Sequence, residues 1–339
     1  MSNNFCPITI LASDRIININ LDVKEVGYVE SGKVIQETPK IQINRSKVKQ
    51  KEAIIGWLFL LPEMIGLALL YVFPLIFSLI LSFSQWNLLG GLSGIEFVGL
   101  DNFKQMFQDE KVLIAIKNNL QFTFMVVPIS MAISLVLAVV IHSNVYLQSY
   151  FKVAFFIPYI SSIIAVGAVW RALYHPSAGP INQFLMSIGI ADPPKWLADT
   201  SASLLAIIII TIWTLIGYVV VIYIAGLSNI PPSLYEAASI DGASNFQKFY
   251  KITLPLLGPT HMFLAITLLI GSFKVFDLIA FLTDGGPINS STVLVYLIYE
   301  EGFQKYNMGY ASALSWLLFA IVSVLTFLTW KVQNNKMFN

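Results

Sequence analysis

The sequence predicts an all-α polytopic membrane protein with six transmembrane helices. Three observations lead there. Of 339 residues, 56% are hydrophobic and 12% charged, whereas soluble domains carry about 25% charged residues. Six apolar runs are long enough to cross ~30 Å of hydrocarbon, which takes about 20 residues as helix. The segments between them are polar and punctuated by proline and glycine. Lipid is therefore the solvent for most of the chain.

Composition also excludes classes. A net charge of +1 argues against nucleic acid as a partner. Cys6 is the sole cysteine, so neither an internal disulfide nor a cysteine-rich metal site is available. His142, His175 and His261 lie far apart in sequence, and no metal site is expected. The first apolar run begins near Ala53, too late for a cleaved signal peptide.

Residues 1–52 are read as a cytoplasmic extension, loosely ordered or the product of a start codon assigned too early. Alternation around 8–35 allows a short hairpin, with no core to hold it. The membrane domain is placed at 53–335. The first span, 53–83, is long enough to tilt, and Pro62 and Pro74 are expected to kink it. The others are placed at 119–141, 153–173, 203–226, 262–283 and 309–331. Trp86, Trp170 and Trp196 fall near span ends, where interfacial aromatics belong. Lys33, Lys40, Arg45, Lys47, Lys49 and Lys51 make the tail the densest basic segment. The positive-inside rule then puts both termini, and the loop at 231–259, in the cytoplasm. The 84–118 and 172–202 loops face outward with room for short surface helices.

The loop at 231–259 is the one polar segment with internal design. Pro231 and Pro232 stop the fourth helix. Ser233 and Glu236 have the spacing of a capping box. Gly242 after Asp241 suits a left-handed helix end, and Asn245 can cap a second short helix that Pro255 and Pro259 close. The expected shape is two short helices with a bend. Small residues give a flat surface, Ile240, Phe246 and Phe249 supply apolar knobs, and Glu236 and Asp241 supply charge. Physically, this is either a docking element or an amphipathic loop lying on its own membrane.

Here a family resemblance enters. Glu236, Ala237, Ala238, Asp241, Gly242, Ala243, Ser244, Phe249, Ile252, Leu254 and Pro255 match the pattern E-A-A-x-x-D-G-A-S-x-x-x-x-F-x-x-I-T-L-P. That run resembles the EAA loop of binding-protein-dependent ABC importer permeases. AGLSNIPPSLYEAA, SFKVFD, LTDGGP and MGYASALSWLLF resemble the carbohydrate-uptake branch, partners of maltose- and glycerol-phosphate-type systems, and the likeness covers most of 45–339. Residues 1–44 depart from the usual short family N-terminus, and nothing is carried over onto them. The resemblance implies the type I importer permease fold, a bacterial or archaeal cell membrane, and three kinds of protein partner. These are an ABC ATPase dimer, a second permease and an extracytoplasmic solute-binding protein. It also implies that Glu236, Ala237, Ala238, Asp241, Gly242, Ala243, Phe249, Leu254 and Pro255 couple to the ATPase. No G-x-x-x-x-G-K-[ST] is present, so the chain is expected to bind no cofactor itself and to leave ATP to a partner.

Ionisable residues inside a bilayer are costly and mark candidate sites. Glu63 sits in the first span near its cytoplasmic end; Lys274 and Asp277 sit in the fifth. Three residues apart on a helix, the last two share a face. Either they neutralise each other at a helix contact, or Gly271, Phe273, Lys274, Phe276 and Asp277 line a solute route. A sugar, with hydroxyls and an apolar ring face, would suit that mixture. In TDGGP, Gly285 and Gly286 permit positive φ and Pro287 fixes the exit; the segment is a plain turn or part of a receiving surface. The function expected is the transmembrane subunit of an ATP-driven importer for a sugar or sugar-like solute. An ion-coupled secondary transporter using Glu63, Lys274 and Asp277 is the rival. An intramembrane hydrolase lacks its motifs, H-E-x-x-H and G-x-S-x-G.

Overall fold

A computed structural model describes residues 5–12, 15–22, 45–143 and 148–337. Two units divide the chain, Met1–Ile65 and Gly66–Asn339. In the first, strands β1 (Phe5–Ala12) and β2 (Arg15–Asp22) pair antiparallel, from Phe5↔Asp22 to Ala12↔Arg15. The alternation around 8–35 thus does form a hairpin, displaced toward the N-terminus; the rest of that stretch lies outside the described residues. Helix α1 (Arg45–Leu67) follows, with Pro62 inside it.

After α1 comes a π-helical turn at Ala68–Val72, then α2 (Phe73–Ser82) with Pro74 in its first turn. Proline lacks the N–H that would continue the α ladder, and the π turn sits directly before it. Strands β3 (Ser84–Gln85) and β4 (Glu96–Phe97) pair as a small hairpin. Asn102 on α3 (Asp101–Gln108) fastens it, donating to the Ser82 and Ser84 carbonyls at 3.0 and 2.9 Å. Helix α4 (Glu110–Ser143) begins nine residues before the hydropathy boundary, because its first turns pack on protein rather than lipid.

The third apolar run departs from the sequence reading. Instead of one span at 153–173 it forms α5 (Gln148–Ile160) and α6 (Ile163–Leu173), bent by 93°. Pro158 and the Ser161–Ser162 pair mark the break. The described residues hold five helices long and apolar enough to cross a membrane, six if this pair counts as one span. In the 172–202 segment lies α7 (Pro180–Ser187), with Asn182 bonded to Trp196 Nε1 at 2.7 Å.

Helix α8 (Ser203–Ser228) is buried on several faces. A helix apolar all round belongs inside the protein. Ile207, Ile208 and Ile210 pack with Phe122 and Val126 of α4, and Val219, Val220 and Tyr223 with Ala138 and Ile141. At Gly217 a Cβ would collide with the Phe155 carbonyl of α5, so glycine is what lets α5 cross α8 so closely. Then follow α9 (Pro232–Ile240), α10 (Asn245–Lys248), a π turn Phe249–Thr253, α11 (Leu254–Leu256) and α12 (Gly258–Phe273).

The fifth run is also broken. Helix α12 stops at Phe273 and α13 (Asp277–Leu282) restarts after three residues. The TDGGP turn has positive φ at Gly285, +76°, joined by Asp284, Ile288 and Asn289 rather than Gly286. Asn118 of α4 holds it, donating to the Asn289 and Thr292 carbonyls at 3.1 and 2.8 Å. Unread in the sequence is α14 (Leu294–Tyr299), whose Leu294 N–H is taken by Asn119 Oδ1 at 2.8 Å. A π turn, Glu300–Gln304, leads to α15 (Met308–Met337), the last span.

Candidate functional site: a bent loop and a membrane cavity

The loop between α8 and α12 is built mainly from its own local bonds. Pro231 caps α9 with Pro232 at its start, and no side chain caps it, so the expected Ser233–Glu236 box does not form. A proline at the first position pre-sets the helical φ and needs no donor there. The box forms instead one helix later: Gln247 N–H donates to Ser244 Oγ at 3.3 Å and Ser244 N–H to Gln247 Oε1 at 2.8 Å. Ser244, not Asn245, is therefore the second cap.

Between the helices the chain turns through a Schellman ending. Gly242 has φ +76°; its N–H reaches the Ser239 carbonyl at 3.1 Å and the Ala243 N–H reaches Ala238 at 2.8 Å. Two side-chain bonds brace the bend: Lys248 Nζ to Ser239 Oγ at 2.7 Å and Tyr235 to Thr253 at 2.9 Å. Glu236, Ala237, Asp241 and Gly242 are exposed, with Ala238 and Ala243 half-buried beneath them. Ile240 and Phe246 stand 87% and 75% exposed. Phe249 is half-buried, not a knob; the second exposed ring is Tyr250, stacked on Phe246 at 6.4 Å. Leu254 is half-buried and Pro255 exposed at the far end. The result is a braced convex knob with an apolar, weakly acidic tip.

The cavity of about 350 Å³ forms where both broken helices meet α8. Non-helical backbone at membrane depth is tolerated where it lines a cavity or is buried in protein. Ser161 comes from the α5–α6 break; Lys274 and Asp277 flank the α12–α13 break. Thr211, Thr214 and Tyr218 come from one stripe of α8, and Gly271, Thr267 and Ser272 from α12. Tyr218 stacks on Tyr159 at 4.9 Å, and Phe122 and Phe276 add a third and a fourth ring. Thr123 of α4 shares a hydrogen bond with Ser272 at 2.8 Å, fixing that wall.

Four of the five residues expected on a solute route line this cavity: Gly271, Lys274, Phe276 and Asp277. Phe273 does not; it is 1% exposed and packed inside the protein. Helix α12 ends at Phe273 and α13 begins at Asp277, so the shared-face pairing fails, and no ion pair joins Lys274 and Asp277 among the described residues. Each charge instead sits where helix ends favour it, the lysine at the carbonyl end of α12 and the carboxylate at the N–H end of α13. Tyr159, Tyr218 and the threonines went unread. For Thr211, Thr214 and Tyr218 a signal was present in their spacing along one face of a largely apolar helix.

Residues 143–334 match the family described as binding-protein-dependent transport system inner membrane component. The chain belongs to this family. The permease is 33% identical to a probable ABC transporter permease of Pyrococcus horikoshii over 82% of its own length and 96% of that protein. It is 32% identical to the lactose transport system permease LacF of Rhizobium radiobacter, covering 84% and 96%. Against the sn-glycerol-3-phosphate transport system permease UgpA of Agrobacterium fabrum it is 32% identical, covering 80% and 92%. A chain of a bacterial ABC transporter involved in the import of the acidic polysaccharide alginate superposes with TM-score 0.74 at 26% identity, covering 86% and 99%. The type I permease fold expected from the bent loop is thus present. Both charged residues of the permease's cavity, Lys274 and Asp277, and one of its rings, Phe276, lie on the span Gly258–Leu282 that follows the loop.

Proposed function

We propose that this permease forms part of the membrane path of an ATP-driven importer for a sugar or sugar-like solute. The observation that carries the reading is the cavity: hydroxyls, four aromatic rings, one ammonium and one carboxylate, joined by a single span to the braced knob. Sugars present hydroxyls for the first and an apolar ring face for the second. Similarity to the lactose and glycerol-phosphate permeases supports the same solute class.

In this reading Glu236 to Gly242, with Ala243, Phe249, Leu254 and Pro255, seat against a separate ATPase dimer. ATP is bound there and not in this chain. Closure of that dimer drives the knob, and the rigid loop passes the movement to α8 and α12, opening the cavity to one side and then the other. A second permease completes the path, and a solute-binding protein delivers the solute to the turn side. Both termini lie in the cytoplasm, on the side of the knob.

Proteoliposomes test this. The chain reconstituted with a second permease, an ATPase and a binding protein is expected to take up a labelled sugar only with ATP. Uptake by the purified chain alone, driven by an ion gradient, would establish the secondary-transporter reading instead. Orientation is checked with an impermeant thiol reagent on Ile240→Cys in a Cys6→Ser background. No labelling of intact cells is expected; ready labelling from outside overturns the topology.

A further inference from the structure

Phe276 lines the cavity, but its ring is also the start of a series. Tyr299 stands against it edge-on at 5.0 Å and 64°. Phe303 stacks on Tyr299 at 5.9 Å and 26°. Tyr296 closes the back, 6.4 Å from Phe276 and 6.3 Å from Tyr299. Exposure rises along the series. Phe276 is half-buried on the cavity wall, Tyr299 is 37% exposed and Phe303 63%, so rings step from the cavity wall to the surface at the end of the span opposite the knob.

The scaffold under these rings is held firmly. They ride on α14 and the π turn Glu300–Gln304, and π turns inside helices frequently mark functional sites. Lys305 Nζ bonds Glu300 and Glu301 at 2.8 and 2.6 Å, and Lys111 of α4 approaches Glu300 at 3.3 Å. Those ion pairs fix the turn to the start of α4 while Tyr299 and Phe303 stay exposed. Phe303 is not packed in a protein core, and its ring continues a series whose first member, Phe276, lines the cavity.

We infer that Phe276, Tyr299 and Phe303 form an aromatic track along which a sugar travels between the outer mouth and the cavity. The inference rests on the sugar reading above. A chain of ring faces lets a pyranose exchange one apolar contact for the next while its hydroxyls stay hydrated, so no step requires full desolvation.

The test uses the fully reconstituted transporter and the sugar it imports from a labelled panel. Tyr299→Ala and Phe303→Ala are each expected to lower maximal uptake about tenfold, with ATP hydrolysis and co-purification of the second permease unchanged. Tyr299→Trp, which keeps a ring, is expected to retain most of the uptake. Unchanged uptake in both alanine variants overturns the track. So does loss of the second permease from the purified complex, which would make the rings a subunit seat. Because Phe303 is largely exposed, its truncation reads transport without threatening the fold. If the unaltered complex imports no sugar, the solute assignment fails first, and the track with it.

Discussion

The Tyr223 hydroxyl and His261 Nδ1 meet at 2.8 Å, joining α8 to α12 at the ends from which the bent loop emerges. The rings are also T-shaped partners at 5.3 Å. Gly226, one turn on, permits the close approach of Thr260 and Leu257. The loop therefore leaves the membrane from two helices that are fastened together. Tyr223→Phe removes the bond and leaves a buried imidazole nitrogen without a partner, a cost of about 1–3 kcal/mol. The expected result is a lower unfolding temperature in detergent and a smaller ratio of solute imported to ATP hydrolysed. Equal ratios in the two proteins would confine the bond to stability.

Gly242 separates backbone strain from surface chemistry. Its φ of +76° disfavours any side chain, yet a Cβ there meets nothing within 4 Å. Gly242→Ala is expected to cost about 1 kcal/mol and to keep most ATPase association. Gly242→Asp adds charge at the tip and is expected to reduce ATPase retained on affinity purification by about tenfold or more, equivalent to ~1.4 kcal/mol. If both variants retain the ATPase alike, the knob is not its seat.

At Gly217 the constraint is backbone against backbone. The Phe155 carbonyl occupies the space of a Cβ, so Gly217→Ala forces α5 away from α8. Overpacking of this kind costs about 1–3 kcal/mol. Reduced yield of monodisperse protein and a lower melting temperature are expected, whereas Gly271→Ala, with open space around it, leaves both unchanged.

Acid should loosen the turn that joins α14 to α15. Burial alone would raise the Glu300 carboxyl, but hydrogen bonds and charge from Lys305 and Lys111 outweigh it and hold the group below its ordinary value. A depressed carboxyl contributes stability that is present above its unfolded value, near 4.5, and is lost as pH falls through the folded one. Lys305 is 45% exposed, so solvent screening limits the effect to about 1 kcal/mol or less. Thermal scans from pH 7 down to about pH 3 are expected to show a steeper fall in the native protein than in Lys305→Met. Parallel curves would remove the cluster from the account.

Lys274 and Asp277 set the last expectation. Among the described residues no ion pair joins them, and both line the cavity. Lys274→Gln and Asp277→Asn are each expected to change uptake or solute preference by about tenfold to a hundredfold, the range that corresponds to one hydrogen bond to a charged group, about 1.5–3 kcal/mol. Transport indistinguishable from the native complex would return both residues to a structural role.

Much of the permease was legible in one dimension. Span existence follows from apolar length, and Ser203–Ser228 lies within two residues of its hydropathy boundary. The bend at Gly242 was legible because left-handed backbone needs that residue type. Local signals failed where two candidates competed: Ser233 lost its box to the proline before it, and Ser244 took the role expected of Asn245. Longer-range features went unread for another reason. Hydropathy sees 153–173 and 262–283 as continuous because a break of two or three residues scarcely changes a 20-residue average.

Chain composition and spacing alone established the lipid solvent, the helical class, the knob and its family likeness, because each depends on residues near one another in sequence. Which hydroxyls, rings and charges share a cavity was decided only in three dimensions. Residues around 160, 214 and 275 meet because two helices break beside α8, and because glycine at 217 lets α5 approach α8 closely. No local pattern encodes that crossing; it exists only once the helices are packed.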